Sequence, residues 1–393
     1  MKRVGNWFAS SWHPMALFLG CVTLIFILLW LQLGTLVPGF SQNELNQRAA
    51  SGTVKAIVDN PMGAPHKGLQ LVAHYTKRIG PGAMRSASAA IALVVACSFY
   101  YVLKTWYSRR VAVLGVLMFI TSAWFLHSAR LGTDSILSAL LITALAAALW
   151  LQRSRGSFIA LLVGAAVVIG LFYVPGMIWF IIPAFLWQSQ RIGRLLEDVP
   201  FPLLVVIILG GLVVVGPIGW AIYQEPGLAK TFFGLPQTFP APLEIVKNTA
   251  RVPVEIFFRG PNNPEFWLGR LPLLDWFTIG MFVIGAYGYV SKLKLDRTWL
   301  FVYIFAVGSL LAGLKGPVSS TLLLPFVYVM VAGGIGLMLQ QWFTVFPRNP
   351  VARGVGTAMI ILAVGASCLY NTTHYFVAWP DAPATKQTFV HRP

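Results

Sequence analysis

The stretch that decides the fold is Pro14–Leu36, PMALFLGCVTLIFILLWLQLGTL, together with the polar segment just after it at Gly39–Arg85, GFSQNELNQRAASGTVKAIVDNPMGAPHKGLQLVAHYTKRIGPGAMR. The first part carries no Asp, Glu, Lys, Arg or His over 23 residues, longer than the ~20 residues a helix needs to cross a bilayer. The second part is 47 residues of polar chain holding Glu44, Asp59, His66, His74 and six basic residues. An apolar span thus delivers a polar loop to one membrane surface. The apolar stretch is too long for the core of a secretory signal and no small-residue cleavage site comes after it, so it reads as a retained span.

The rest of the chain continues that pattern. Of 393 residues 57% are apolar and only 10% charged, and the mean hydropathy is +0.73, which excludes an ordinary soluble globule. Lipid offers the backbone no hydrogen-bond partners, so such a chain crosses as helices. Further apolar segments lie at Ser86–Leu103, Val111–Leu126, Ser135–Leu151, Ser157–Tyr173, Val174–Trp187, Phe201–Tyr223, Leu273–Val290, Trp299–Leu314, Thr321–Leu339 and Val355–Tyr370. The expected fold is an all-α polytopic membrane protein with about eleven transmembrane helices. Residues 1–372 are expected to form one membrane domain and 373–393 a short extracytoplasmic tail. The pair joined by Tyr173-Val-Pro-Gly176 also suits one broken or re-entrant element.

A net charge of +17 invites a nucleic-acid reading, but its distribution argues for topology. With the N-terminus inside, 14 basic residues fall in short cytoplasmic connections, while the short outer loops hold only Arg130 and Lys315. That asymmetry follows the positive-inside rule and suits anionic lipid; no nucleic-acid partner is expected. Cys21, Cys97 and Cys368 sit in apolar segments without metal-ligand spacing.

The same topology puts Gly39–Arg85 and Gln224–Pro272 on the outer face, while the span interiors are almost free of ionisable groups. A transporter needs polar partners at mid-membrane, so the chemistry here is expected at the outer surface. Helical spacing of polar residues predicts interfacial amphipathic helices over Asn43–Val58 and Leu69–Ile79 of the first loop, and over Pro242–Phe258 of the second. Asn60–Gly68, rich in Pro and Gly, is expected to be an irregular elbow.

Glu44 is a candidate general base toward an acceptor hydroxyl or amine. Its structural alternative is a solvated residue paired with Arg48 one turn on. Asp134 is a second candidate carboxylate, or simply a helix N-cap. Lys67, Lys77, Arg78 and Arg85 suit a phosphate or pyrophosphate headgroup, or snorkelling at the interface. His66 and His74 are candidate metal ligands, separated by little that would complete a site. Asn371-Thr-Thr373 fits a glycosylation acceptor, a short and common pattern.

In order along the chain, several segments resemble the C-type (GT-C) multi-spanning glycosyltransferases that use polyprenyl-phosphate sugars. Dolichyl-phosphate-mannose protein mannosyltransferases and lipid A aminoarabinose transferases belong to that group. The matching segments are Pro38-Gly-Phe-Ser-Gln-Asn-Glu-Leu45, Pro65-His-Lys-Gly-Leu69, Gly80-Pro-Gly-Ala-Met-Arg-Ser86, Trp124-Phe-Leu-His-Ser-Ala-Arg-Leu-Gly-Thr-Asp134 and Leu323-Leu-Pro-Phe326. The likeness covers roughly residues 15–340 and is most specific over 38–150.

The resemblance implies transfer of a sugar from a polyprenyl-phosphate carrier at the outer face of a bacterial-type plasma membrane, with inversion at the anomeric carbon. It makes Glu44 the base and Asp134 the group that orients the acceptor or a cation. Lys67, Lys77, Arg78 or Arg85 would face the leaving phosphate. Asn43, His66, His74 and Arg130 become acceptor or donor contacts, and a divalent cation is allowed without being required. One departure stands out: Asn43 occupies the place where the family has the first acid of an Asp-Glu pair. A second expected departure is that no large soluble domain follows the spans, the segment after Asn371 being about twenty residues. The competing expectations are a silent scaffold or lipid-binding subunit that keeps the fold, and a transporter of a lipid-linked substrate.

Overall fold

The computed structural model describes residues 12–76, 80–154, 157–190, 193 and 200–391. It is a helical membrane fold with no strand among the described residues; the single β-bridge joins Phe40 to His391. Each of the eleven apolar segments forms helix. Among the described residues five helices are long and apolar enough to cross a membrane: Pro81–Trp106, Asp134–Arg153, Phe201–Gln224, Ser320–Val345 and Pro350–Asp381. Arg109–Thr121 and Ala123–Arg130 make a sixth if taken as one span bent by 58°. Phe158–Phe172, Ile178–Trp187 and Trp276–Val290 are apolar but shorter. By length and composition five or six of the described helices pass as crossings, and the expected count of eleven is not confirmed.

The breaks have local causes. Ser122 ends one helix and caps the next, its Oγ accepting from the Phe125 N–H, which produces the bend inside 109–130. Between Phe158–Phe172 and Ile178–Trp187 the chain turns at Gly176, whose φ of +76° favours glycine. A Cβ there would lie 2.7 Å from Val318, so the turn is also packed too closely for a side chain.

The interior is assembled by close helix contact. Trp276–Val290 lies against Leu324–Val345 so tightly that a Cβ on Gly285 would collide with the Met330 carbonyl, and one on Gly334 with that of Met281. Water-driven association is absent between helices in lipid, so small residues that let backbones approach carry such interfaces. Asp275 caps the first of these helices and accepts from Thr278, Ser367 and Asn371. Asn371 also accepts from the Ala123 N–H and is buried, which makes it a core residue and not an open glycan acceptor.

The first loop is ordered and helical, with boundaries shifted from expectation. Its helices are Gln42–Ser51, Val54–Asp59 and Ala64–Tyr75. The single helix expected over 43–58 is broken at Gly52 because Thr53 caps a new start, its Oγ1 accepting from the Ala56 N–H. The supposed elbow is helical from Ala64 onward. Pro65 stands in the first turn, where a missing N–H costs nothing, and Gly63 at φ +75° turns the chain into it. Pro242–Phe257 forms the expected helix of the second loop.

Candidate active site

The first-loop residues converge beneath the N-terminal end of Pro81–Trp106. Ser41 and Glu44 form a capping box at the start of Gln42–Ser51: Ser41 Oγ accepts from the Glu44 N–H and Glu44 Oε2 from the Ser41 N–H. Glu44 then does more than cap. It is 2% exposed, and its Oε1 accepts from Arg85 Nε and from the Gly132 N–H, each at 2.7 Å. Its Oε2 accepts from Arg85 Nη2 at 2.9 Å. The other Arg85 N–H groups reach the carbonyls of Leu33, Val37 and Gly39, where the first span ends. One buried ion pair thus ties the first span, the first loop, the Pro81–Trp106 helix and the turn at Gly132.

Glu44 is therefore not the open carboxylate that the sequence suggested. Its expected partner, Arg48, lies instead over the Phe40 ring, 5.5 Å from the centroid. Arg85, expected at a donor phosphate, has its guanidinium committed to Glu44 and three carbonyls. Arg130 has a similar fate. It is buried, donates to the Leu28 and Leu31 carbonyls of the first span, and lies 4.8 Å from the Phe376 ring centroid.

A second polar line runs beside the first. His66 is fully buried; its Nδ1 is 3.2 Å from the Gln47 amide nitrogen and its Nε2 is 2.8 Å from Ser88 Oγ. Because Ser88 donates onward to the Thr133 carbonyl, its oxygen accepts from His66. That fixes the tautomer: Nδ1 accepts from Gln47 and Nε2 carries the proton. Burial, then the neighbouring Lys67 charge, pushes the imidazole pKa down to about 3. With both nitrogens in use, His66 does not suit a metal, and His74 is exposed on the same helix. No three His, Cys, Asp or Glu side chains among the described residues could hold a metal ion together.

Lys67 is 4% exposed and donates from Nζ to the Asn60 carbonyl at 2.7 Å. Burial lowers its pKa, while Asp134 opposes that shift. Asp134 itself opens a 3-10 turn, Asp134–Leu140, and its carboxylate packs at Gly63. Glu44 and Asp134 thus belong to one polar region, linked through Gly132 and Thr133, while each meets a different cation. Lys77 and Arg78 lie outside the described residues.

The sequence reading missed Glu265. It lies in the second long loop and is 4% exposed. Ser41 Oγ donates to its Oε1 at 2.6 Å, and the Asn43 amide donates to its Oε2 at 2.5 Å. Burial raises its pKa, with the nearby Glu44 adding to the rise and the two hydrogen bonds opposing it. Asn43 is exposed, so this carboxylate sits directly behind a surface side chain. No local pattern links residues 222 apart; the only available signal was the shared face of the two long loops.

The C-terminal segment was likewise underestimated. The expected tail is packed into the site: Trp379 donates to the Pro264 carbonyl, Phe40 N–H to the His391 carbonyl, and the Phe389 ring lies under Arg85. Gly39 is required here, because any Cβ would strike the Phe389 carbonyl.

No family model and no curated protein matches the chain in sequence. The fold, however, has a counterpart among solved structures. The chain is similar to the crystal structure of ArnT from Cupriavidus metallidurans in the apo state, with a TM-score of 0.61. The match covers 96% of this chain and 78% of that one at 12% identity. At that identity the likeness establishes the fold alone.

Proposed function

We propose that this chain is a membrane glycosyltransferase that moves a sugar from a polyprenyl-phosphate carrier to an acceptor at the outer membrane surface. The observation that carries the reading is a buried carboxylate–cation cluster, built from the first loop and set at span ends, on a GT-C fold. Such a cluster costs much to desolvate, and its bonds hold the loop in one geometry against the span ends. In this reading Glu44 and Arg85 position the loop. Lys67, with Lys77 and Arg78 of the same loop, supplies positive charge for the phosphate that departs, and Asp134 holds Lys67 toward that work. Fixed charges aimed at developing charge contribute most where water is excluded.

The test uses the full chain, purified and placed in lipid nanodiscs with polyprenyl-phosphate mannose or polyprenyl-phosphate aminoarabinose. Release of polyprenyl phosphate is the readout, with water as default acceptor. Turnover that falls in Lys67→Met supports the reading. A chain that binds neither donor nor releases product from either would be a scaffold instead.

A further inference from the structure

We propose that Glu265, supplied by the second long loop, is the proton acceptor of the transfer, replacing the carboxylate that Asn43 lacks. The inference rests on the glycosyltransferase reading above and names the residue that completes it.

Four observations converge on Glu265. Its Oε2 is held by the side chain of Asn43, the position where the family resemblance leads one to expect an acid. Its oxygens are the less committed of the two carboxylates: each accepts one bond from a neutral group, whereas Glu44 takes two from Arg85 and two from backbone N–H groups. A proton arriving at Glu44 would have to displace a guanidinium; one arriving at Glu265 Oε2 displaces only an exposed amide. Burial also raises Glu265 toward the range in which a carboxylate is an effective base near neutral pH. Finally, Ser41 and Asn43 bind it from both sides of the first loop helix start, so the second loop is registered on the first.

The step balances without a further reagent. The acceptor heteroatom uses an electron pair to form a bond to the anomeric carbon, and its proton passes to Glu265 Oε2 as Asn43 turns aside. The bond from the anomeric carbon to the phosphate oxygen breaks, and the polyprenyl phosphate leaves with that electron pair. Glu265 then returns its proton to water. The charged neighbours of Glu265 are Glu44 and, through it, Arg85; two residues further along the loop, Trp267 packs against the rings of His127 and His374.

The decisive experiment compares wild type, Glu265→Gln and the exchange variant Asn43→Asp/Glu265→Gln, all as full chains in nanodiscs with the two donors named above. The exchange keeps one carboxylate and one amide in contact with the bond reversed, so folding is preserved where the single variant weakens it. We expect Glu265→Gln to lose about 100-fold or more in release rate, the usual contribution of a general base, and the exchange to recover most of it. A pH–rate profile separates catalysis from positioning. The acid limb should move to lower pH in the exchange variant, because the carboxylate at position 43 is exposed. Wild-type turnover that Glu265→Gln leaves intact overturns this inference and spares the glycosyltransferase reading. Loss in both variants with an unmoved acid limb assigns Glu265 a structural role. A wild type inert toward both donors overturns the two together.

Discussion

Replacing Arg85 by alanine tests whether the first loop is held by the ion pair or merely lies near it. All five guanidinium N–H groups are used, two on Glu44 and three on the carbonyls of Leu33, Val37 and Gly39, and the side chain is 3% exposed. Removing one partner of a buried pair leaves the other uncompensated, at a cost of roughly 3–5 kcal/mol. At about 1.4 kcal/mol per tenfold, the lower figure corresponds to roughly a 100-fold rise in the population of the opened loop. Amide hydrogen exchange in nanodiscs reads that opening directly, on the N–H groups of Gln42–Ser51. Pairing Arg85→Met with Glu44→Met should restore much of the protection, because the pair is then replaced by apolar groups and no charge is stranded. Exchange that accelerates less than about fivefold, under ~1 kcal/mol, would mean that the pair is solvated and that Glu44 is open after all.

Other consequences can be checked on the same preparation. Between pH 7 and 5 the chain should lose stability through His66, which is held at about 3 when folded against an ordinary 6.5. The unfolded chain binds the extra proton, so stability is full above 6.5 and falls as pH drops toward 3, by about 2 kcal/mol at pH 5. Thermal unfolding of His66→Gln should lose most of that slope. Gly285→Ala forces a methyl into the Met330 carbonyl and should cost about 1–3 kcal/mol of overpacking, seen as a lowered melting temperature. Expression in a glycosylating host should add no glycan at Asn371, and Asn371→Ala should destabilise by about 1–3 kcal/mol, since it orphans the buried Ala123 N–H.

The fold was legible because bilayer physics acts on composition: each apolar stretch became helix, and the amphipathic period of Pro242–Phe257 identified its helix almost to the residue. Periodicity alone does not distinguish a full span from a bent pair or a short helix turned by Gly176, so the count of eleven is not confirmed. In the site, the sequence singled out residues that the structure brings into one polar region, but not their burial or their partners. Glu44, Arg85 and Arg130 looked like exposed chemistry because charge in a loop ordinarily faces water. Here carbonyls at the end of the first span and just beyond it lack helical partners, and Arg130 and Arg85 satisfy them from inside. Glu265 and the packing of Trp379 and Phe389 depend on contacts between segments far apart in the chain, which no window of sequence contains.

The division of labour between positions 43 and 44 follows from helix geometry. Successive residues on a helix point about 100° apart, so when position 44 faces Arg85, position 43 must face elsewhere, here outward and against Glu265. The two are therefore not interchangeable acids. Asn43→Asp alone would set a second carboxylate where an amide now lies 2.5 Å from Glu265 Oε2. Two carboxylates at that separation cannot both ionise easily, so the pair would titrate with one step displaced upward. If the transfer needs the ionised form of that pair, the acid limb of the release rate moves to higher pH in Asn43→Asp, and activity near neutrality falls although a family acid has been restored. A base at Glu44 predicts no such move: its bonds to Arg85, Ser41 and Gly132 are untouched by the change, so the limb would stay in place.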